Sequence, residues 1–277
     1  MAPLITLTTD FGTSDAYVAS MKGVILNINP QVTIVDISHA VEPQNALQAA
    51  YIISTTHSYF PKGTIHVVVV DPGVGSQRKL VILETPSALF LAPDNGVLSY
   101  IIREIEPASN PTTDSAAGPQ QIQLPKRAKA IAITNPRYWQ QTVSTTFHGR
   151  DILAPVAAYL SLGTPIGELG EKLNSVNVFS LPQPYHDSKG NLCGQIIHTD
   201  HFGNLITNLK GTDLPEGKFV IEIGNQKILG LSQYYSQKNG LVAIIDSNDY
   251  LEIALKDGSA AALLGSKAGD KLILREE

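Results

Sequence analysis

Residues 64–70 read Thr-Ile-His-Val-Val-Val-Val and run directly into Asp-Pro-Gly-Val-Gly. A β-branched run without polar alternation is a strand covered on both faces. The turn residues end it at once. Such a strand needs helices on either side, alternating with further strands, and the flanking sequence supplies them. Leu4–Thr8 is strand-like. Thr13, Ser14 and Asp15 offer capping oxygens to a helix near Ala16–Asn27, which Pro30 closes off. Val32–Val35 is the next strand. Pro43 can start a second helix, in which Ala46, Ala49, Ala50 and Ile53 recur at about 3.6-residue spacing. Gly96–Ile105 and Ile152–Leu162 carry helical patterns, and Lys129–Ile133 that of a strand. The expectation is an α/β N-terminal domain with a largely parallel sheet flanked by helices.

Asn110–Gln121 reads as a polar connection. Pro182, Pro184 and His186–Asn191 read as a linker. Beyond it the rhythm changes. Leu192–His198, Leu205–Asn208, Lys218–Ile223, Leu241–Ile245, Leu251–Leu255 and Lys271–Leu274 are short strands punctuated by Gly, Asn and Asp. That spacing predicts an all-β, barrel-like C-terminal domain. The expected division is 1–180, a linker 181–190, and 191–277. No internal repeat is visible.

Composition narrows the function classes. In 277 residues, 20 Lys and Arg stand against 25 Asp and Glu, a net charge of −5. A basic field for nucleic acid is therefore not expected. Cys193 is the lone cysteine, which leaves no internal disulfide and no cysteine-based zinc site. No apolar run approaches a membrane span, and Met1–Gly12 has no basic leader region. The expectation is a soluble, cytoplasmic protein with no membrane partner.

Polar residues gather where predicted strands end. Asp10 follows the first strand and Asp71 the third, and ligands of parallel α/β sheets bind beyond such ends. Asp, Pro and Gly are also ordinary turn residues, so each Asp alone is equally well a turn cap. The segment 71–78 is neither a phosphate loop nor a dinucleotide fingerprint. Gly73 and Gly75 either let backbone approach a ligand or simply permit positive φ. A tight loop would bring Arg78 to Asp71, although alone Arg78 reads as a surface residue. His148 and Asp151, within Phe147–Asp151, read alone as capping or surface groups. The other histidines show no metal-binding spacing, and a metal site of Asp10, Asp36, His39 and Asp71 has no signature. Asp200–Asn204 and Asp246–Glu252 lie between predicted strands. Both offer carboxylate, amide, hydroxyl and aromatic groups suited to a zwitterionic or heteroaromatic ligand, and both are also good turn sequences.

The ordered set TTDFGTSDAYV, VDISHAVEP, VVVDPGVGSQRK, APDNG, FHGRD, TDHFGNLITN and DSNDYLEIA resembles the S-adenosylmethionine hydroxide adenosyltransferase family, relatives of fluorinase and chlorinase. The match runs over nearly the whole chain. The resemblance implies an α/β domain followed by a β-barrel domain. It implies a homotrimer with sites at subunit interfaces. It also implies displacement of methionine from the 5′ carbon of the ribose. With water or hydroxide as nucleophile the products are adenosine and L-methionine, and no cofactor or metal is needed. By position, Asp10 matches the carboxylate on the ribose hydroxyls. Phe202 and Asn204 match adenine contacts, and Tyr235 an aromatic residue stacking on adenine. Asp200 and Ser247 match groups holding the methionine amine and carboxylate, with Asp15 near that end. Asp71, Arg78 and His148 match the trio of the hydroxide enzymes. Two positions depart from the halogenases: Asn248 stands in place of an Arg, and Gln44 in place of an aromatic wall residue.

The trio separates the nucleophiles. A fixed carboxylate at position 71 would repel halide by roughly 4 kcal/mol at about 4 Å and an effective dielectric near 20. The same carboxylate and His148 can polarise water, with Arg78 stabilising developing hydroxide. Three readings compete with an S-adenosylmethionine hydrolase: a halogenase of the same fold, a metal-dependent hydrolase, and a non-catalytic sensor of S-adenosylmethionine or adenosine. The sensor would have no use for the trio.

Overall fold

The computed structural model describes residues 3–111 and 118–276, which form two compact units divided between Leu181 and Pro182. In chain order the first unit contains β1 (Leu4–Thr9), α1 (Tyr17–Ile28), β2 (Thr33–Ser38), α2 (Ala46–Thr56), β3 (Ile65–Val69), β4 (Leu80–Glu84) and β5 (Leu89–Pro93). There follow α3 (Ser99–Ile105), β6 (Gln120–Gln123), β7 (Lys129–Ile133), α4 (Ala154–Ser161), β8 (Gly170–Leu173) and β9 (Ser175–Val178). Its main sheet has the order β2-β1-β3-β5-β4-β7-β8.

The first four strands in that order are parallel and the rest antiparallel, so the sheet is mixed. The reason lies in the connections. Helices join β1 to β2 and β2 to β3, which returns each strand in the same direction. A short turn at 85–88 joins β4 to β5, which forces reversal. β6 and β9 form a separate antiparallel pair.

The valine run behaves as its composition dictates. Ile65, Val67 and Val69 enter a core shared with Met21 and Ile25 of α1 and Ala157 of α4. Val68 and Val70 enter a second core with Ala49 and Ile53 of α2 and Ile101 of α3. Helices thus cover both faces of the sheet. The chain leaves β1 for β2 on one side and returns to β3 on the other, making β1/β3 the switch point where ligands of such folds bind. Asp10 and Asp71 follow these two neighbouring strands.

Local details differ from the sequence reading. α1 starts at Tyr17 with no side-chain cap, so Thr13, Ser14 and Asp15 do not act as its caps. α2 starts at Ala46 rather than at Pro43, because Asn45 is the cap and accepts the Gln48 N–H. Ile152–Leu153 belongs to a π-helical turn, Gly149–Leu153, that precedes α4. Of the Asn110–Gln121 connection, 112–117 lies outside the described residues, and Gln120–Gln121 pairs in β6.

The second unit contains β10 (Tyr185–His186), β11 (Leu192–Thr199), β12 (Leu205–Lys210), β13 (Phe219–Ile223), β14 (Gln226–Leu229), β15 (Leu241–Ile245), β16 (Tyr250–Leu255), α5 (Ala260–Leu264) and β17 (Lys271–Glu276). The strands pair antiparallel in the order β14-β13-β17-β11-β12-β16-β15, and β10 pairs with β11. β14 also packs against β15, so the sheet curls into a nearly closed barrel. Leu205, Ile221, Leu251, Ile253 and Leu274 fill its interior. The stretch read as a linker is partly ordered into this sheet through Tyr185 and His186. Among the described residues, no helix is long and apolar enough to cross a membrane.

Candidate active site

β3 ends at Val69, and two residues later Asp71 forms an ion pair with Arg78. The side chains of Arg78 and Asp71 are only 9% and 8% exposed. Burial raises the Asp71 pKa from the ordinary carboxylate value, an effect that Arg78, the Gly73 N–H and His148 partly offset. Asp71 Oδ1 is buried and has no hydrogen-bond partner among the described residues. It is an acceptor with a vacant lone pair at the carboxyl end of the central strand.

The loop 71–78 reaches this shape through its glycines. Gly75 has φ +78°, and a Cβ there would lie 2.5 Å from the Thr145 carbonyl oxygen. Its role is therefore positive φ and contact with the chain's own backbone. Gly149 is equally constrained: a Cβ would lie 2.9 Å from Cγ1 of Val69. That contact seats the 147–151 segment against the end of β3 and brings His148 within electrostatic range of Asp71. Phe11, Tyr17 and Phe147 add a cluster with ring centroids 5.3–5.5 Å apart. The three segments that follow β1, open α1 and precede α4 are held together by these rings.

Arg78 has a second anionic neighbour in Asp94, which sequence reasoning quoted in a motif but gave no role. Asp94 accepts the backbone and side-chain N–H groups of Asn177, each at 2.8 Å. Asn95 Nδ2 donates to the Val70 carbonyl at 2.9 Å, tying this loop to the end of β3. An open cleft of about 560 Å3 runs alongside, lined in part by Gln44, Gly73, Arg78, Asp94, Asn95 and Asn177. That is within the size range of small-molecule sites. Asp10 joins the cleft indirectly, since its Oδ2 accepts the Gln44 N–H at 2.8 Å. Gln44 has φ +68°, an unusual conformation that this bond helps to hold. Asp15 is exposed on the turn before α1.

Asp36 and His39 do not converge with Asp10 and Asp71. Asp36 pairs with Lys22 and with His39, whose other ring nitrogen meets Thr9 Oγ1 at 2.9 Å. Asp151 is buried against Arg150 and the Ser144 N–H, a structural role. Among the described residues, no group of three or more His, Cys, Asp or Glu is arranged to hold a metal.

In the second unit, Asp200 organises a turn. Its Oδ1 accepts the N–H groups of Phe202 and Asn204, and its Oδ2 accepts Asn204 Nδ2. Asp246 repeats the backbone pattern with Asn248 and Tyr250. Both segments are thus the turns their composition indicated. Phe202 stands 74% exposed, while Asn204 is buried with its Nδ2 committed and its Oδ1 left to accept. Ser247 is exposed at the tip of the second turn. Tyr235 is half-exposed and donates its hydroxyl to Glu252, a residue that closes the Asp246–Glu252 segment and to which sequence reasoning assigned no role of its own. The available signal was a lone charge in the apolar strand Tyr250–Leu255.

Residues 5–170 match the SAM hydroxide adenosyltransferase N-terminal domain, and residues 194–273 the corresponding C-terminal domain. The chain belongs to this family. It is 35% identical to an (R)-S-adenosyl-L-methionine hydrolase of Methanocaldococcus jannaschii, over 94% of this chain and 91% of that one. It is 26% identical to a fluorinase of Nocardia brasiliensis, over 96% and 95% of the two chains. A crystal structure of an uncharacterized conserved protein from Thermotoga maritima superposes with a TM-score of 0.84 at 31% identity, covering 98% of this chain and 100% of the other.

Two outcomes test this geometry. Gly75→Ala should destabilise the protein by about 1–3 kcal/mol in chemical unfolding, because a strained backbone and a carbonyl clash must both be accommodated. The second concerns Glu252, whose pKa is pushed up to about 7, first by burial and further by Asp200 and Asp246, against the Tyr235 hydroxyl. A raised carboxylate pKa contributes stability that is fully present below its ordinary value and is lost as pH rises through about 7. The thermal midpoint of the wild type should therefore fall between pH 5 and 8 more than that of Glu252→Gln.

Proposed function

We propose that this chain hydrolyses S-adenosyl-L-methionine to adenosine and L-methionine by attack of water at the ribose 5′ carbon. The observation that carries the reading is the buried Asp71–Arg78 pair with its unpartnered Asp71 Oδ1, beside His148. A water that donates to Oδ1 has its oxygen lone pair free for the carbon. As the C–O bond forms, the C5′–S bond breaks and its electron pair goes to sulfur, which leaves as the neutral thioether of methionine. The water loses one proton. Asp71 Oδ1 is the acceptor we assign, because burial makes it a stronger base than an ordinary carboxylate. Arg78 and His148 stabilise the developing hydroxide. A sulfonium loses its charge on departure, so it needs no acid, and we propose no cofactor or metal in the step.

The substrate contacts follow the family pattern. Asp10 is assigned to the ribose hydroxyls, Phe202, Asn204 and Tyr235 to adenine, and Asp200, Ser247 and Asp15 to the methionine end. We further assign the R configuration at sulfur, since the hydrolase relative is named for that epimer. The working form is a homotrimer in which a neighbouring subunit completes each site, and the partner molecule is the substrate alone.

Asp71→Asn should lower turnover by at least a hundredfold while leaving the Kd of an unreactive substrate analogue within threefold, since one lost general base is worth about a hundredfold to ten-thousandfold in rate. Unchanged turnover would contradict the role. In high chloride the wild type should give adenosine and no 5′-chloro product, because Asp71 repels the anion. A halogenated product would establish the halogenase alternative. Asp10→Ala should weaken analogue binding by about 1.5–3 kcal/mol through loss of charged hydrogen bonds. An unchanged Kd would place the ribose elsewhere.

A further inference from the structure

The turn that carries Asp10 is gripped by the segment leading from β2 to α2. The Gly12 N–H donates to the His39 carbonyl at 2.8 Å. The His39 ring holds the other side of the turn, with Nδ1 2.9 Å from Thr9 Oγ1. Further along the same segment, the Gln44 N–H donates to Asp10 Oδ2 at 2.8 Å. His39 thus contacts the chain on both sides of Asp10, through its ring before it and its carbonyl after it.

Donor accounting sets the direction of these bonds. Thr9 is fully buried, and its Oγ1 accepts the Phe11 N–H at 3.3 Å. The buried Thr9 hydroxyl proton also needs an acceptor, and His39 Nδ1 stands beside it. In the neutral ring that assigns the imidazole proton to Nε2. Nε2 lies 3.0 Å from Asp36 Oδ1, in ion-pair contact although off the line of a full hydrogen bond. Burial raises the Asp36 pKa, but Lys22 and His39 outweigh it and hold the group below the ordinary carboxylate range. The chain therefore runs one way. Phe11 N–H donates to Thr9 Oγ1, Thr9 O–H donates to His39 Nδ1, and Nε2–H faces an ionised Asp36.

Strand packing does not call for this arrangement. The cross-strand partner of Thr9 on β3 is Val69, and a valine at position 9 would fill the strand equally. The polar chain adds orientation. It fixes the peptides that flank Asp10 before a ligand arrives, and a carboxylate on a preset turn has little freedom left to lose on binding. Gln44 engages Oδ2, which leaves Oδ1 as the acceptor for a ligand hydroxyl.

We propose that His39 is a positioning residue for ribose recognition: with Thr9 and Asp36 it clasps the 9–12 turn and holds the Asp10 carboxylate ready for the ribose hydroxyls. This rests on the assignment of Asp10 to those hydroxyls. It adds a determinant that acts at a distance: breaking the clasp weakens ligands that carry the hydroxyls and spares those that lack them.

The test titrates adenosine and 2′,3′-dideoxyadenosine calorimetrically. Wild-type protein should bind adenosine more tightly. Equal affinity would overturn the Asp10 assignment itself, a failure visible before any variant is compared. Thr9→Val removes the hydroxyl and should weaken adenosine about fivefold or more while leaving the dideoxy compound within about twofold. Thr9→Ser restores the hydroxyl and should bring adenosine back to within about twofold of wild type. Equal weakening of both ligands, of neither, or a serine variant as poor as the valine one would overturn the clasp. His39→Leu should give the same ligand-selective loss, and combining it with Thr9→Val should add little, because both break one chain. Losses that add in full would overturn the proposal. The Thr9 pair decides it even where His39→Leu does not fold.

Discussion

The buried pairing of Asp71 with Arg78 depends on almost everything else in the first unit, and the chemistry depends on it. An isolated carboxylate at that burial would take up a proton, and an isolated guanidinium there would be costly. Together they are tolerated because loop 71–78 closes on itself, and Gly75 permits that closure by touching the Thr145 backbone. Gly149, pressed on Val69, brings the His148 segment to the same place. Asp94, fixed by Asn177, is a second anion acting on Arg78. What remains open is one oxygen of Asp71. In the proposed reaction, that lone acceptor is what favours a water molecule over an anion as the nucleophile.

The second unit manages charge differently. Asp200 and Asp246 each fold a turn by accepting backbone N–H groups, which keeps the turn tips rigid. The same carboxylates, after burial, help to push the Glu252 pKa up to about 7. A structural device and an electrostatic one thus share the same atoms. The cost of that burial falls on the folded state.

Much of this was legible in the chain. The run 64–70 predicted a doubly covered strand, and Val67 and Val68 do face different cores. The barrel-like strands of the C-terminal region followed from the change of rhythm near residue 190. Less legible were β4 and β5, because Thr85-Pro86-Ser87-Ala88 signals a turn but not that the chain reverses there into a paired strand inside an otherwise α/β pattern. The start of α2 was missed because Pro43 is a weaker determinant than the Asn45 cap. At the site, Asp71, Arg78 and His148 were nominated by motif, while their juxtaposition required the contacts of Gly75 and Gly149. Glu252 was seen only as the end of a turn segment, because its environment comes from neighbours distant in sequence, Tyr235 and Asp200.

The central claim is that water, polarised at Asp71, attacks the 5′ carbon. The direct measurement is incubation of the protein with S-adenosyl-L-methionine in H218O, followed by mass spectrometry of the nucleoside product. The account predicts adenosine carrying one 18O at the 5′ oxygen, with unlabelled methionine released in equal amount. Adenosine without label, or label in a product that retains the C5′–S bond, would contradict attack of water at that carbon.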